Sequence, residues 1–176
     1  MQIIYDFGVT LSEYHRLGRE NAFPELEVCP VCKNRCKIVP HGYYERNATT
    51  YRKEYRIIIK RYKCSNCVVT ISLLPAFLIS RFQGTLKYIY RCLVEKLKGN
   101  WAFSCYQKLQ HYRKRFMKNI RAIEMFLRVM GRREKFPSEV QEKAMKLVEL
   151  IGKVGKESFA RDFHHHHNKS FMATTI

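Results

Sequence analysis

Residues 55–75 read YRIIIKRYKCSNCVVTISLLP, and this stretch decides the fold because it joins a β-branched run to a cysteine pair. Three consecutive isoleucines between basic residues are typical of a strand. Cys64 and Cys67 follow, and a C-x₂-C spacing places two sulfurs on one tight turn. A second pair with the same spacing, CPVC at Cys29 and Cys32, lies upstream. The two pairs together predict a site for one metal ion.

The ligand set of this site indicates zinc. Four cysteines in two C-x₂-C pairs match a structural Cys₄ zinc site, with Zn–S distances of about 2.3 Å. The segments between the pairs, YYERN and YRKEYRIIIKRYK, read as strands joined by a turn near residues 47–50. We therefore predict a zinc ribbon over residues 29–80 whose small core depends on Zn²⁺ for folding. Four thiolates leave no position for an activated water, so the Zn²⁺ would be structural.

Two other uses of the cysteines are less consistent with the chain. A disulfide framework is typical of secreted proteins, and a C-x-x-C redox site needs a thioredoxin-like surround for one pair only. Within the zinc interpretation, Cys36 and His41 are alternative ligands. Lys33 and Val68 stand where glycine often supplies a positive φ, and we expect Asn34 to adopt the left-handed conformation instead.

The charge of the chain points to a polyanion. Lys and Arg number 33 against 15 Asp and Glu, a net charge of +18. Nucleic acid is the commonest intracellular polyanion, so we expect DNA as the partner and RNA as the alternative. The longest apolar stretch, residues 68–79, is too short to span a bilayer and contains a proline, and we expect no membrane association. Without a recognisable secretory signal, we expect a cytoplasmic protein, associated with the nucleoid if it binds DNA.

The motifs CPVC, HGYYER and IKRYKCSNCVVTISLLPAFLI resemble those of small bacterial proteins that carry a transposase-type zinc ribbon. They are also similar to an uncharacterised family, a domain of unknown function, that occurs beside mobile elements. Tyr62, Cys64, Cys67 and Thr70 match the frame Y-x-C-x-x-C-x-x-T, and the resemblance covers about residues 27–130. It implies DNA binding in a transposition setting, with a transposase or another mobile-element protein as partner.

Residues 81–176 are helical in pattern. Apolar residues at helical spacing predict a first helix from Leu86 that ends at Gly99, and a second of about 26 residues from a cap at Ser104. A third helix is predicted between a cap at Ser138 and Gly152, with a weaker pattern over residues 156–163. The first two helices have the pattern of a helix-turn-helix. The predicted fold class is α+β: a lead-in (1–28), a small zinc-ribbon sheet (29–80) and a basic helical domain (81–176).

Two clusters are the predicted nucleic-acid contacts. The ribbon contributes Arg52, Lys53, Arg56, Lys60, Arg61 and Lys63, and the long helix contributes Gln107, Lys108, His111, Lys114, Arg115, Lys118 and Arg121. Lys114, Lys118, Arg121 and Arg128 share one face of a continuous helix. The alternative is that these cations form solvated faces, and that Tyr51, Tyr55 and Tyr62 pack on the sheet instead of stacking on bases. The run at residues 164–167, HHHH, is interpreted as a basic, weakly metal-binding tail.

The predicted function is a zinc-dependent DNA-binding protein of a mobile element, acting as an accessory, regulatory or recognition subunit. We expect no catalytic site, because the chain has only two aspartates, Asp6 and Asp162, far apart in the sequence. A two-metal nuclease core needs paired carboxylates. The alternatives are an RNA-binding zinc ribbon and a protein–protein adaptor.

Overall fold

The α+β fold is confirmed by a computed structural model, which describes residues 1–100 and 105–174. The chain divides into two units, Met1–Gly84 and Thr85–Ile176. The first unit carries a four-stranded sheet and the second is helical. The predicted lead-in, residues 1–28, belongs to the first unit, because it contains a strand, residues 2–5, that pairs within the sheet.

The sheet of the first unit is an antiparallel meander with one parallel strand added. Its strands are β1 (Gln2–Tyr5), β2 (Ile38–Thr49), β3 (Glu54–Cys64) and β4 (Thr70–Pro75). The order in space is β1-β4-β3-β2, and β1 runs parallel to β4. The β-branched run predicted to be a strand lies in β3, a central strand, where Ile57 and Ile59 are buried. The hairpin turn lies at residues 50–53, slightly later than predicted.

A short helix covers the sheet of the first unit. This helix, α1 (Leu11–Leu17), begins at Thr10, whose hydroxyl accepts a hydrogen bond from the Glu13 N–H at 3.3 Å. Tyr14 on α1 is fully buried, and its hydroxyl donates to the Ile58 carbonyl at 2.9 Å. The helix is therefore attached to β3, the strand that ends at Cys64.

The second unit contains five helices within the described residues. They are α2 (Leu86–Leu97), α3 (Tyr106–Lys118), α4 (Ile120–Val129), α5 (Val140–Val154) and α6 (Lys156–His167). The first predicted helix is confirmed, and α2 is capped by the Thr85 hydroxyl, which accepts from the Tyr88 N–H at 3.3 Å. None of the helices in residues 1–100 and 105–174 has the length and hydrophobicity needed to span a bilayer.

The prediction of a single 26-residue helix is wrong, because the helix is interrupted at Asn119, between α3 and α4. Asn119 is buried and leaves helical geometry, with ψ at 8°. Its side-chain amide donates to the Phe171 carbonyl at 2.8 Å and to the Ala173 carbonyl at 2.9 Å. The apolar repeat continues across the break, since both helices face the same core, so periodicity alone did not reveal it.

The predicted ends of the third helix are also wrong. The side chain of Glu139, and not of Ser138, accepts from the backbone N–H of Glu142 at 2.6 Å and begins α5. The helix continues through Gly152 and ends at Gly155, where φ is +101°. Gly155 supplies the positive φ that favours glycine at a helix end.

Gly152 has a packing role instead. A Cβ at this position would lie 2.5 Å from the Tyr90 hydroxyl oxygen. That hydroxyl donates to the Val148 carbonyl at 2.9 Å, one turn earlier in α5. Glycine therefore allows the Tyr90 ring of α2 to approach the backbone of α5.

We expect Gly152→Ala to destabilise the second unit. Alanine gains about 1 kcal/mol of helix propensity, but overpacking against Tyr90 costs typically 1–3 kcal/mol, so the net effect should be a loss of about 1 kcal/mol. Denaturant unfolding of Gly152→Ala in the natural and the Tyr90→Phe backgrounds measures this. In the phenylalanine background the clash is with a ring carbon at 3.4 Å or beyond, so the loss should shrink. Equal losses in both backgrounds would contradict the assigned contact.

Candidate metal centre and basic surfaces

The four cysteines of the two pairs meet at one end of the sheet. The sulfurs of Cys29, Cys32, Cys64 and Cys67 all lie within 4.8 Å of one another. The Cys29 and Cys67 sulfurs are 3.6 Å apart, and those of Cys32 and Cys64 are 3.9 Å apart. Four sulfurs at about 2.3 Å from a tetrahedral ion would be separated by about 3.8 Å. The spacing therefore fits one metal ion held between the two pairs.

The two cysteine turns repeat the same backbone hydrogen bonds. In the first turn, the Lys33 N–H donates to the Cys29 carbonyl at 2.9 Å, and in the second the Val68 N–H donates to the Cys64 carbonyl at 3.1 Å. The N–H of the first cysteine of each turn is also paired, with a carbonyl five residues further on, at 3.1 Å in both cases. Two segments without sequence similarity apart from their cysteines thus form matching turns, which we call the two knuckles.

The left-handed residue of each knuckle directly follows the second cysteine. Lys33 has φ +60° and Val68 has φ +59°. The prediction that Asn34 takes this conformation is therefore wrong. The turn needs the positive φ at the position where glycine often stands, and the chain adopts it without glycine. A β-branched residue such as Val68 is strained there, and such strain persists only where the surrounding structure imposes it.

Backbone N–H groups of the knuckles stabilise thiolates. The Cys67 N–H holds the pKa of Cys64 at about 6, against the effect of burial. The Asn34 N–H lowers the pKa of Cys32, and the Asn66 side-chain amide, 3.6 Å from that sulfur, adds to the effect. Thiolates are the form that binds metal, so these hydrogen bonds prepare the site for a cation.

The two alternative ligands lie outside the set of four. Cys36 is close to it, with its sulfur 3.2 Å from that of Cys64. This hydrogen bond with Cys64 is the main reason why the pKa of Cys36 rises to about 12. His41 lies in β2 at the irregular register between Pro40 and Tyr43, and it is exposed. Cys36 is a fifth thiol beside the candidate metal centre.

No protein family, curated protein or solved structure matches this chain. The resemblance to transposase-type ribbons therefore rests on the motifs quoted above.

The basic residues of the sheet are mostly engaged within the first unit. The guanidinium of Arg56 pairs with Glu45 at 2.6 Å, although both side chains are exposed. The ammonium of Lys60 lies 5.2 Å from the centre of the Phe23 ring and 5.1 Å from that of Tyr62. Tyr62 is buried, and its hydroxyl donates to a carbonyl at 2.6 Å, so it packs on the sheet and is not available to stack on a base.

The remaining predicted contacts of the first unit lie in two places. Arg52 and Lys53 are exposed in the hairpin turn, next to the exposed Tyr51. Arg61 is half-buried, with its guanidinium 6.0 Å from the centre of the Tyr44 ring, and Lys63 is also half-buried. The turn is therefore the part of this cluster that is most exposed to a ligand.

The predicted contacts on α3 form one exposed row. Leu109, Tyr112 and Phe116 are buried on the inner face. Gln107, Lys108, His111, Lys114 and Lys118 are exposed, and Arg115 is half-buried. Residues 96–123 include eight Lys and Arg and no acidic residue. We name this surface, from Gln107 to Lys118, the α3 row.

A shallow groove of about 640 Å³ runs along this row. It is lined by Gln107, Gln110, His111, Arg113, Lys114, Met117 and Lys118. Burial, together with the charges of Arg115 and Lys114, lowers the pKa of His111, so its imidazole is neutral at pH 7. The charges of Arg115 and Lys114, which add to the effect of burial, make the local potential positive, and this would attract an anion.

The continuous row predicted from Lys114 to Arg128 is interrupted. Arg121 is exposed but lies on α4, beyond the break at Asn119. Arg128 pairs with Glu124 at 3.0 Å. The row of exposed cations is therefore confined to the thirteen residues of α3, with Arg121 on the next helix.

A helix-turn-helix is not confirmed. The helix α2 ends at Leu97 and α3 begins at Tyr106, and part of the segment between them lies outside the described residues. The predicted cap at Ser104 lies outside the described residues.

The histidine run is not a tail. It forms the last turn of α6, where His164 is buried and His167 lies 4.3 Å, between ring centres, from Phe163. Burial lowers the pKa of both histidines. Within the described residues, the four cysteines are the only cluster of His, Cys, Asp or Glu side chains that could hold a metal ion.

We expect Cys64→Ser to abolish metal binding and unfold the first unit. The substitution removes the buried thiolate with the lowered pKa and leaves three sulfurs, too few for a closed tetrahedral site. Metal analysis and native mass spectrometry should fall from about one ion per chain to near zero, with loss of the sheet signal by circular dichroism. Cys105→Ser, at an exposed position in the second unit, is the matched control and should keep its metal. A metal content unchanged by Cys64→Ser would refute the ligand assignment.

Proposed function

We propose that this protein binds duplex DNA through the α3 row, and that a structural Zn²⁺ at Cys29, Cys32, Cys64 and Cys67 stabilises the first unit. The observation that carries the proposal is the α3 row itself: exposed cations on one helix face, within 28 residues that contain no acid. The two parts have different physical bases and are tested separately.

Zinc is the metal that the donor set favours. Soft thiolate ligands in a tetrahedral S₄ arrangement select zinc or an iron–sulfur centre, whereas magnesium and calcium prefer oxygen. Four sulfurs mutually within 4.8 Å leave room for a single ion. With four thiolates bound, zinc has no position for a reactive water, and its contribution is to folding. We infer no catalytic role for the chain.

Duplex DNA fits the dimensions of α3. A helix with its side chains is about 10–12 Å across, and the major groove is about 12 Å wide. The second unit carries 20 basic against 8 acidic residues, a net charge of +12, whereas the first unit carries 13 against 7, or +6. Lysines on an exposed helix face contact phosphates, while Gln107 and His111 lie among them with groups able to bond base edges.

The setting that we propose is a mobile genetic element. The support for it is the resemblance of the cysteine motifs to transposase-type ribbons. In that setting the protein would act as an accessory, regulatory or recognition subunit, with a transposase or another mobile-element protein as partner and the nucleoid as its location.

RNA is the second candidate, and one observation favours it. Tyr51 is 58% exposed and stands directly before Arg52 and Lys53 in the hairpin turn. An exposed aromatic ring beside cations is the arrangement on which unpaired bases stack. This turn belongs to the first unit, so variants there separate the RNA proposal from the DNA proposal.

We expect the double variant Lys114→Ala with Lys118→Ala to bind DNA more weakly, by the same factor for every DNA sequence. Each lost phosphate contact removes about 0.9 from the slope of log K against log salt concentration, so the slope should fall by about 2. Fluorescence anisotropy between 50 and 200 mM salt measures this. Lys146→Ala with Lys153→Ala is the matched control, because it removes the same charge from the Glu149 ion pairs on α5. If both double variants lose affinity equally, the α3 row is not the contact surface.

A competition experiment distinguishes the partners. We expect unlabelled duplex DNA to displace a bound duplex probe better than single-stranded or structured RNA of equal length. Tyr51→Ala should leave duplex binding unchanged and would weaken RNA binding if the hairpin turn is the site. Phosphate-driven binding should lose about 10³-fold in affinity between 50 and 200 mM salt for about six contacts. Tight binding to a protein partner, insensitive to salt, would instead support an adaptor.

A further inference from the structure

The thiol of Cys36 has no role in the candidate metal centre, yet the sheet holds it beside a ligand. Its sulfur lies 3.2 Å from that of Cys64, closer than either ligand pair across the site. Cys36 is half-buried, packed against the cluster that contains Cys29 and Tyr62. Proximity of this kind needs a structural cause.

The cause is the register of β2 and β3. Ile38 is the register partner of Cys64, and the Ser65 N–H donates to the Lys37 carbonyl at 3.0 Å. These backbone contacts directly follow Cys36, and the bridge between Val28 and Arg35 directly precedes it, so Cys36 is held beside the end of β3. The approach of the two sulfurs is therefore determined by strand pairing and not by the metal ligands.

We propose that Cys36 and Cys64 form an oxidation site, at which a peroxide converts the two thiols to a disulfide and releases the zinc. The inference rests on the metal centre of the proposed function and is independent of DNA binding. Cys36 is the resolving thiol, because it is the fifth sulfur of the cluster and is not needed as a ligand.

The chemistry balances with hydrogen peroxide as the oxidant. The Cys64 thiolate attacks one peroxide oxygen, the O–O bond breaks, and hydroxide leaves, which gives a sulfenic acid. The Cys36 sulfur then attacks the Cys64 sulfur, so that an S–S bond forms while the S–O bond breaks. The departing hydroxide takes the Cys36 proton and leaves as water. Two electrons pass from the sulfurs to the peroxide, and zinc keeps three ligands.

The disulfide removes Cys64 from the zinc, so the metal centre loses one of its four ligands and its coordination is incomplete. Zinc binding and folding are coupled in small metal domains, so release of the ion destabilises the fold. Among the other sulfurs near Cys64, that of Cys32 is 3.9 Å away and is itself a ligand. Cys36 reaches the oxidised sulfur first because it is nearer and not coordinated.

The experiment treats the zinc-loaded full chain with one equivalent of hydrogen peroxide, then blocks free thiols and digests with trypsin. Arg35 and Lys37 isolate Cys36 on a peptide of residues 36–37, while Lys63 and Arg81 place Cys64 and Cys67 on residues 64–81. We expect these two peptides to be joined in proportion to the zinc released, with fragmentation locating the bond at Cys64. A reductant with added zinc should restore the metal.

Two variants complete the test. Cys36→Ser should bind zinc like the natural chain but, after a second equivalent of peroxide, should accumulate sulfinic acid at Cys64 and recover less metal on reduction. Cys105→Ser, an exposed thiol in the second unit, should behave like the natural chain.

Three results would overturn the proposal. A Cys36 that stays a free thiol while zinc is lost would show that it is not the resolving thiol. Loss of zinc in untreated Cys36→Ser would show that Cys36 is a ligand. A natural chain that binds no zinc before oxidant is added would refute the metal centre, and metal analysis at the start identifies that case by itself.

Discussion

Convergence of two cysteine knuckles at one end of a sheet is the constraint on which the first unit depends. The sulfur contacts join residues 32 and 38 positions apart in the chain, so the loop before β2 and the turn after β3 are held together. Each knuckle carries a strained left-handed residue without the freedom of glycine, Lys33 in one and Val68 in the other. A metal bond to each sulfur would supply free energy that makes such turns persist.

The two units divide the charge unequally, and their cations also differ in how far other residues already engage them. In the first unit, cations such as Arg56 and Lys60 already interact with an acid or with aromatic rings. The electrostatic field of these cations is therefore partly neutralised by the acid or directed toward the rings. In the second unit, the α3 row has no acidic residue within the surrounding sequence, and buried residues on its inner face orient its cations outward. The polyanion that we propose as partner would therefore gain more from α3 than from the sheet.

Several expectations failed where a distant residue decided the local structure. The periodicity from Leu109 to Leu127 is helical throughout, yet Asn119 breaks the helix because it bonds to carbonyls more than fifty residues further on. A glycine that resembled a helix end, Gly152, instead makes room for Tyr90. The histidine run looked like a charged tail, but its first member is buried in the second unit. In each case the local pattern was real, and a tertiary contact outweighed it.

The sequence by itself determined the chemistry of the candidate site: two C-x₂-C pairs, a β-branched strand before one of them, and helices rich in lysine and arginine. These features are local, because spacing determines which sulfurs share a turn and periodicity determines which side chains share a face. Only the tertiary structure decided which sulfurs lie 3 to 4 Å apart, and that Cys36 stands beside Cys64. Those distances depend on strand register, which pairs residues far apart in the chain and leaves no signal in either segment alone.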